Sequence, residues 1–261
     1  MLTGILVFVC GLIIGSFISA YTYRTPRNLS VIKGRSICPK CKTKISWYDN
    51  VPIVSYFFLK GRCRNCNKKI SARYPLIEFS TAIIFLVSFF AQGLIRANVP
   101  WLMLIPDYIF LPFVIFLVSI FISIFVIDTE QQIIPDELIF IALCVAFLIL
   151  ILSGYPKFYE NLLASLASAL FLLLLHILTR GAGMGLGDVK LAILIGLLLG
   201  INLGVLSIFL SFILGGAVAL FLLILKKAHL GQRIAFGPFM IASYFIVMFF
   251  GDKIVSSVFP F

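Results

Sequence analysis

Long apolar runs separated by short polar stretches dominate the sequence. Eight of them approach the roughly 20 residues that an α-helix needs to cross the hydrocarbon core of a bilayer. The pattern therefore predicts an all-α polytopic membrane protein with about eight transmembrane helices. The runs lie at about 3–22, 76–95, 108–127, 138–154, 160–179, 188–202, 204–225 and 235–250.

Composition supports this prediction. Hydrophobic residues make up 62% of the 261 residues and charged residues 12%, with a mean hydropathy of +1.14, whereas soluble domains average about 45–50% and 25%. The first run has no Lys or Arg before Arg24, so it lacks the basic start of a cleaved signal peptide. We expect it to remain in the protein as a transmembrane helix.

The net charge of +11 is concentrated in one loop. Residues 23–75 contain thirteen basic residues and a single acid, Asp49. Short loops with such an excess of Lys and Arg stay in the cytoplasm. With eight spans, both termini then lie outside, and the stretches 128–137, 181–188 and 226–234 face the cytoplasm together with the basic loop. A site built from these stretches opens inward.

Four cysteines in the basic loop form the pattern Cys38-x2-Cys41-x21-Cys63-x2-Cys66. Two such pairs can hold one zinc ion tetrahedrally in a closed, structural site. Two disulfides are the alternative, which a reducing cytoplasm disfavours. We expect a small cytoplasmic zinc-ribbon-like loop that gains its folding free energy from the metal. Residues 1–75 then form one part, the first helix with its zinc loop, and residues 76–261 a bundle of seven helices.

The basic residues around the cysteines allow two interpretations. A zinc ribbon could use them to bind nucleic acid, or a loop tethered at both ends to the bilayer could rest on anionic lipid headgroups. We favour the lipid and expect no nucleic-acid partner.

Four of the ten acids fall within ten residues: Asp128, Glu130, Asp136 and Glu137. Asp136 and Glu137 follow Pro135 at the predicted start of a helix, where they could cap it or favour its dipole. Asp128 instead ends an apolar run, and an ionised carboxylate there is costly and by default a functional candidate.

Asp188 is the second candidate. It follows glycines at 181, 183, 185 and 187 and precedes an apolar run of about 14 residues, about 21 Å of helix, which is shorter than the bilayer core. Asp188 could simply cap this helix. The short run instead suggests that it starts below the membrane surface, where Asp188 would face Asp128.

Two carboxylates in a partly dry cleft share a proton, which is the chemistry of an aspartic protease. One takes a proton from water while the other protonates the scissile carbonyl. Other hydrolytic designs fit less well. The sequence has no H-E-x-x-H motif, and His176 and His229 stand alone without a triad.

Further short motifs accompany these residues in a fixed order. They are Gly15-Ser16-Phe17, Tyr23-Arg24-Thr25-Pro26, residues 50–56, Gly61-Arg62-Cys63, residues 70–75 with Glu78, Ile127-Asp128, Ile134-Pro135-Asp136, residues 185–191 and Phe236-Gly237-Pro238-Phe239. Together with the cysteine pairs, this set resembles the type IV prepilin leader peptidase family over nearly the whole chain.

The resemblance implies a GxGD-type intramembrane aspartic protease with Asp128 and Asp188 as catalytic pair. Such enzymes remove the short basic leader of prepilins and pseudopilins at the cytoplasmic face of the bacterial inner membrane. Many also N-methylate the new N-terminus with S-adenosylmethionine, an activity associated with the N-terminal part. We expect a supporting role near the pair for Gly185, Gly187, Lys190, Glu130 and Asp136. No Gly-rich loop indicates where S-adenosylmethionine binds.

Two other functions remain open from the residues alone. A transporter could bind a cation or proton at the acidic notch and broken sixth helix, although internal pseudo-symmetry, its usual sign, is not visible. The other is a binding module in which the zinc ribbon is functional and the helical bundle serves only to anchor it in the membrane.

Overall fold

The computed structural model describes residues 2–27, 29–31, 36–181, 183–227, 229, 232 and 234–258. Their regular structure is helical, and strand-like pairing within these ranges is limited to two isolated bridges. The all-α prediction is confirmed. The α-helices are α1 Leu2–Arg24, α2 Val54–Phe58, α3 Arg73–Phe90, α4 Gln92–Asn98, α5 Asp107–Gln131, α6 Asp136–Leu152, α7 Phe158–Leu178, α8 Leu186–Ile224 and α9 Gly237–Val258.

Each predicted apolar run falls on these helices, although the run 76–95 is divided between α3 and α4. Six of them, α1, α3, α5, α7, α8 and α9, are long and apolar enough to cross a membrane. Helix α6 covers the run 138–154 with 17 residues, about 26 Å, slightly less than the bilayer core. The runs 188–202 and 204–225, expected as separate spans, are joined in the 39 residues of α8.

A glycine interrupts α8 between these two runs. Gly200 has φ 74° and ψ −171°, a conformation nearly confined to glycine. A Cβ built on Gly204 would lie 3.6 Å from the Cα of Gly196, whereas eight residues of straight helix rise about 12 Å. The chain therefore folds back at Gly200, and 186–199 and 201–224 behave as two helices.

Two buried side chains donate hydrogen bonds to backbone carbonyls just before this break. Carbonyls ahead of a helix break lose their partners one turn on and must find others, especially in an apolar environment. The Asn161 side-chain amide donates to the Leu197 carbonyl, and the Trp101 indole N–H donates to the Leu198 carbonyl, both at 2.8 Å. Asn161 and Trp101 are buried. Hydrogen bonds from buried side chains thus stabilise the break.

The chain forms two compact units. Unit 1 comprises Met1–Phe90 and Val114–Ser123, and unit 2 comprises Ala91–Phe113 and Ile124–Phe261. In unit 2, α8 packs against α7 and α9. A Cβ on Gly196 would lie 2.6 Å from the carbonyl oxygen of Ala164, so α7 and α8 are in backbone contact, as small residues permit in membrane helices.

Unit 1 is built on the pair α1 and α3. A Cβ on Gly11 would lie 2.6 Å from the Cα of Ala82, which shows that the two helices touch through their backbones. At the other end of this contact, Arg73 in the first turn of α3 donates to the Ser19 carbonyl at 3.0 Å and to the Thr22 hydroxyl at 2.7 Å on α1. The zinc-loop sequence runs between these two helices.

Candidate active site

Asp128 lies in the last turn of α5 and is 4% exposed. The helix ends at Gln132, whose left-handed conformation (φ 56°, ψ 40°) lets its N–H bond the Asp128 carbonyl at 2.9 Å. The side chain is buried, and its Oδ2 lies beside the backbone of Gly237 without a hydrogen bond of good geometry among the described residues. A buried carboxylate oxygen that is bonded this weakly is costly, so it is a candidate site for a ligand or water.

Asp188 lies in the first turn of α8 and is 8% exposed. Its Oδ2 accepts a hydrogen bond from the Gly185 N–H at 3.0 Å, which is one half of a capping box. Asp188 is therefore not the N-cap residue but the third residue of α8, and its side chain bonds the backbone of the N-cap residue Gly185. A Cβ on Gly185 would lie 3.2 Å from this Oδ2, so the glycine leaves room for the folded-back carboxylate.

The two carboxylates, 60 positions apart in sequence, are brought together around one apolar side chain. Ile134, in the turn between α5 and α6, lies 3.0 Å from a Cβ built on Gly187 and 3.2 Å from one built on Gly237. A Cβ on Gly237 would also lie 2.6 Å from Oδ2 of Asp128. Asp188 is within electrostatic range of Asp128. Both carboxylates thus lie buried and near each other in unit 2.

Of the charged residues near the acid pair, Lys190 and Asp136 are bonded to each other, and the remaining acids are exposed. Lys190 Nζ lies 2.6 Å from Asp136 Oδ1, joining the first turns of α8 and α6. Asp136 is therefore the first residue of α6 and an ion-pair partner, with no side-chain cap bond at this helix start. Glu130 and Glu137 are exposed on the neighbouring turns.

Sequence reasoning missed how the loop before Asp188 is held. His176 Nδ1 lies 2.6 Å from the Met184 carbonyl, to which it must donate, and the Gly181 N–H donates to the His176 carbonyl at 2.8 Å. His176 is thus a hydrogen-bonded structural residue of this loop. Gly237 was noticed only within a motif, and its contact with Asp128 has no local signal because 109 positions separate them.

The four cysteines form a cluster in unit 1. Their sulfur atoms lie within 4.8 Å of one another, and the Sγ atoms of Cys38 and Cys66 are 4.0 Å apart. Tetrahedral zinc with Zn–S bonds of ~2.3 Å needs sulfur separations of about 3.8 Å. The donor set and its spacing fit a zinc ion.

The two cysteine knuckles share one backbone geometry. The Lys42 N–H bonds the Cys38 carbonyl and the Asn67 N–H bonds the Cys63 carbonyl, both at 2.9 Å. Lys42 and Asn67, the residues after each pair, have φ of 61° and 54°. Such paired turns aim four sulfur atoms at one point, as a structural metal site requires.

The thiols of the cluster have unequal pKa values. The hydrogen bond from Thr43 lowers the pKa of Cys41 to about 6, and the backbone amides of Cys66 and Asn65 lower the pKa of Cys63. The Lys68 amide lowers the pKa of Cys66, but burial and the other three thiols outweigh it and raise the value to about 11. The four sulfurs therefore need a cation before all of them are thiolates.

Two family models match the chain. The bacterial peptidase A24 N-terminal domain matches residues 9–92, and the type IV leader peptidase family matches residues 115–220. The first range includes the four cysteines and Glu78, and the second includes Asp128 and Asp188. No solved structure matches the chain.

Curated relatives cover almost its full length. A prepilin leader peptidase/N-methyltransferase of Bacillus subtilis is 31% identical over 96% of this chain and 96% of its own. Proteins of the same name from Neisseria gonorrhoeae and Vibrio cholerae are 31% and 32% identical, over 96% and 94% of this chain and 91% and 96% of their own. The identity and coverage place the chain in a family, and the buried acid pair and the cysteine cluster fall within the matched ranges. The chain belongs to the type IV prepilin leader peptidase/N-methyltransferase family.

Proposed function

We propose that the chain cleaves the leader peptide of type IV prepilins or pseudopilins, with Asp128 and Asp188 as the catalytic pair. The observation that carries this proposal is the pair of buried carboxylates, Asp128 and Asp188, within electrostatic range of each other. A water molecule between the two would bond both carboxylates and be placed for hydrolysis.

In the proposed reaction, one carboxylate accepts a proton from the water as its oxygen bonds to the scissile carbonyl carbon. The other, protonated, gives its proton to the carbonyl oxygen. The carbon–nitrogen bond then breaks and a proton passes to the departing amine. The Gly185 N–H bond fixes one oxygen of Asp188, so a single orientation of this carboxylate faces Asp128.

The acids beside the pair suit a basic leader. Glu130 and Glu137 are exposed on the turns that flank Ile134, and exposed acids of one sign attract an oppositely charged peptide. Asp136 is already paired with Lys190, so we assign it to holding α6 and α8 together. The substrate we propose is a prepilin whose Lys/Arg-rich leader meets these acids.

We make two further proposals for the N-terminal part, residues 1–75. Cys38, Cys41, Cys63 and Cys66 hold one structural zinc ion, and the new N-terminus is methylated with S-adenosylmethionine. The names of the relatives support methyl transfer, and the cysteine cluster supports zinc.

We further propose a multi-pass protein of the bacterial inner membrane, with both termini outside and the site facing the cytoplasm. The basic loop supports this orientation. The same loop would rest on anionic headgroups, with no nucleic-acid partner expected.

The transporter alternative depended on the broken helix. Unwound carbonyls coordinate the ions in such proteins, but here the Leu197 and Leu198 carbonyls accept hydrogen bonds from Asn161 and Trp101. This favours the peptidase.

The test is Asp128→Asn and Asp188→Asn in the full chain, with Asp107→Asn as matched control. Asp107 lies at the other end of α5 with its side chain 88% exposed. Mass spectrometry of a prepilin incubated with purified enzyme should show the leader retained with the first two variants and lost with the control. Near wild-type cleavage by either site variant would contradict the proposal.

A further inference from the structure

Unit 1 contains a buried carboxylate for which the peptidase has no use. Glu78 on α3 is 7% exposed. Its Oε2 accepts a hydrogen bond from the Ile53 N–H at 2.7 Å. No basic side chain of the described residues forms an ion pair with it. The other acid of residues 1–90, Asp49, is bonded to Arg64 at 2.7 Å.

The backbone next to Glu78 is strained. Ile53 has φ 59° and ψ −50°, and the Val54 N–H bonds the Pro52 carbonyl, which defines a γ-turn of the rare kind. Positive φ is especially unfavourable for a β-branched residue. The turn aims the Ile53 N–H at Glu78, so the carboxylate holds the strained loop in place. Strain of this kind is typical of ligand sites.

A cavity lies beside the segments that contact Glu78. It has a volume of about 330 Å³, and its wall includes Ser16, Asn50, Pro52, Phe17 and Arg24. Ser16 follows Gly15, where a built Cβ would lie 2.8 Å from the Cα of Glu78, and Pro52 immediately precedes Ile53. The carboxylate thus stands directly behind the wall of a half-polar cavity in the size range of small-molecule sites, whose lower limit is ~300 Å³.

The charges favour a ligand with a positive centre. A carboxylate buried without a cation is unfavourable, and a bound cation removes that cost. The rest of the N-terminal part would repel such a ligand, because residues 23–75 carry thirteen basic residues. The carboxylate of Glu78 offsets this repulsion beside the cavity. Arg24 in the same wall suits an anionic group at the other end of the molecule.

We infer that this cavity binds S-adenosylmethionine, with Glu78 as a positioning residue that holds the turn at Ile53 and whose charge acts on the ligand's sulfonium. The inference rests on the methyl transfer proposed above and gives that activity a binding site. When bound, this cofactor carries the transferable methyl group on a positively charged sulfur. The residues of the chain orient it and balance its charge.

The test uses the purified, zinc-loaded full chain and compares S-adenosylmethionine with S-adenosylhomocysteine, which lacks the sulfonium charge. Glu78→Gln keeps an oxygen for the Ile53 N–H and removes only the charge. We expect the affinity for S-adenosylmethionine in equilibrium dialysis to fall about tenfold and that for S-adenosylhomocysteine to change less than about threefold. Prepilin cleavage should be unchanged, and the KM for S-adenosylmethionine should rise.

Three further variants complete the test. Ser80→Ala, on the exposed side of α3, should bind both ligands as the wild type does. Glu78→Asp should retain the preference for the charged ligand. If Glu78→Gln does not fold, the test uses Ser16→Ala, which should lower the affinity for both ligands.

Equal effects of Glu78→Gln on the two ligands, or unchanged binding in Ser16→Ala, would overturn the inference. A wild-type chain that binds the cofactor and methylates, with Glu78→Gln identical to it, refutes only the assignment of Glu78. A wild-type chain that cleaves prepilin but neither binds the cofactor nor methylates refutes the proposed methyl transfer as well.

Discussion

Lys190 Nζ lies 2.6 Å from Asp136 Oδ1, so one salt bridge joins the helix that begins with the Asp188 motif to the helix that follows Asp128. Both side chains are substantially exposed, 45% and 69%, and exposed ion pairs add about 0–1 kcal/mol to stability. The pair therefore matters through the alignment of two helix starts rather than through global stability.

Breaking this pair should lower activity more than stability. For Lys190→Met we expect prepilin cleavage to slow about threefold to tenfold, since the two acid-bearing segments lose one restraint, with a change in unfolding free energy below about 1 kcal/mol. Cleavage rate and thermal unfolding are measured on the same preparation. The double exchange Lys190→Asp with Asp136→Lys should recover part of the rate, and no recovery would argue against a pairing role.

Gly237→Ala should slow cleavage about a hundredfold. The added Cβ would lie 2.6 Å from Oδ2 of Asp128, so the carboxylate has to turn away from Asp188, and a misplacement of about 1 Å costs about a hundredfold in rate. The control is Gly216→Ala, where a Cβ meets nothing within 4 Å. Equal cleavage by both variants, measured by leader release, would remove Gly237 from the site.

Removal of zinc should unfold the loop without stopping proteolysis. We expect one zinc per chain by elemental analysis, and Cys38→Ser should lose the metal and the hydrogen-exchange protection of residues 36–70. Methylation should fall while cleavage persists, because the acid pair is in unit 2. Cys144→Ser, an exposed thiol on α6, serves as control and should keep its zinc. Full methylation without zinc would show that the loop has no part in that activity.

The helix break at Gly200 predicts that substitution of the two tryptophans has different effects on the free energy of unfolding. Trp101→Phe removes the donor to the buried Leu198 carbonyl and should cost about 1–3 kcal/mol. Trp47→Phe changes a side chain that is 83% exposed and should stay within about 0.5 kcal/mol. Denaturant or thermal unfolding in detergent distinguishes them, and equal stabilities would mean that the carbonyl has found another donor.

The proposed orientation can be tested with reporter fusions. Alkaline phosphatase is active only outside the cytoplasm, so we expect activity after Gly154, in the turn that follows α6, and none after Lys227, beyond α8. The opposite pattern would invert the topology and place the acid pair on the outer face.

The helices and the acid pair could be predicted from the sequence because their signals are local. Apolar runs of about 20 residues report membrane helices directly, and Asp128 and Asp188 stand out because each adjoins such a run. Lys190 and Asp136 were found as neighbours of these motifs, but their salt bridge was not predicted, since it joins two helix starts 54 positions apart.

Other features have no local signal. Asn161 and Trp101 look like ordinary helix and loop residues, and only the folded chain brings them to the carbonyls before Gly200. The strained turn at Ile53 is equally hidden, because Ile is among the residues least expected at positive φ. Its conformation depends on Glu78, which lies on another helix.

The contact between α1 and α3 has a consequence for the loop they enclose. Backbone contact at Gly11 and the Arg73 bonds to Ser19 and Thr22 hold the two ends of the loop together before any metal arrives. Closing a loop of about 50 residues costs conformational entropy that grows with its length. The packing of α1 against α3 already closes this loop, so zinc binding does not have to supply that free energy. Zinc then has only two short knuckles to join, so the loop should refold reversibly when metal is removed and returned.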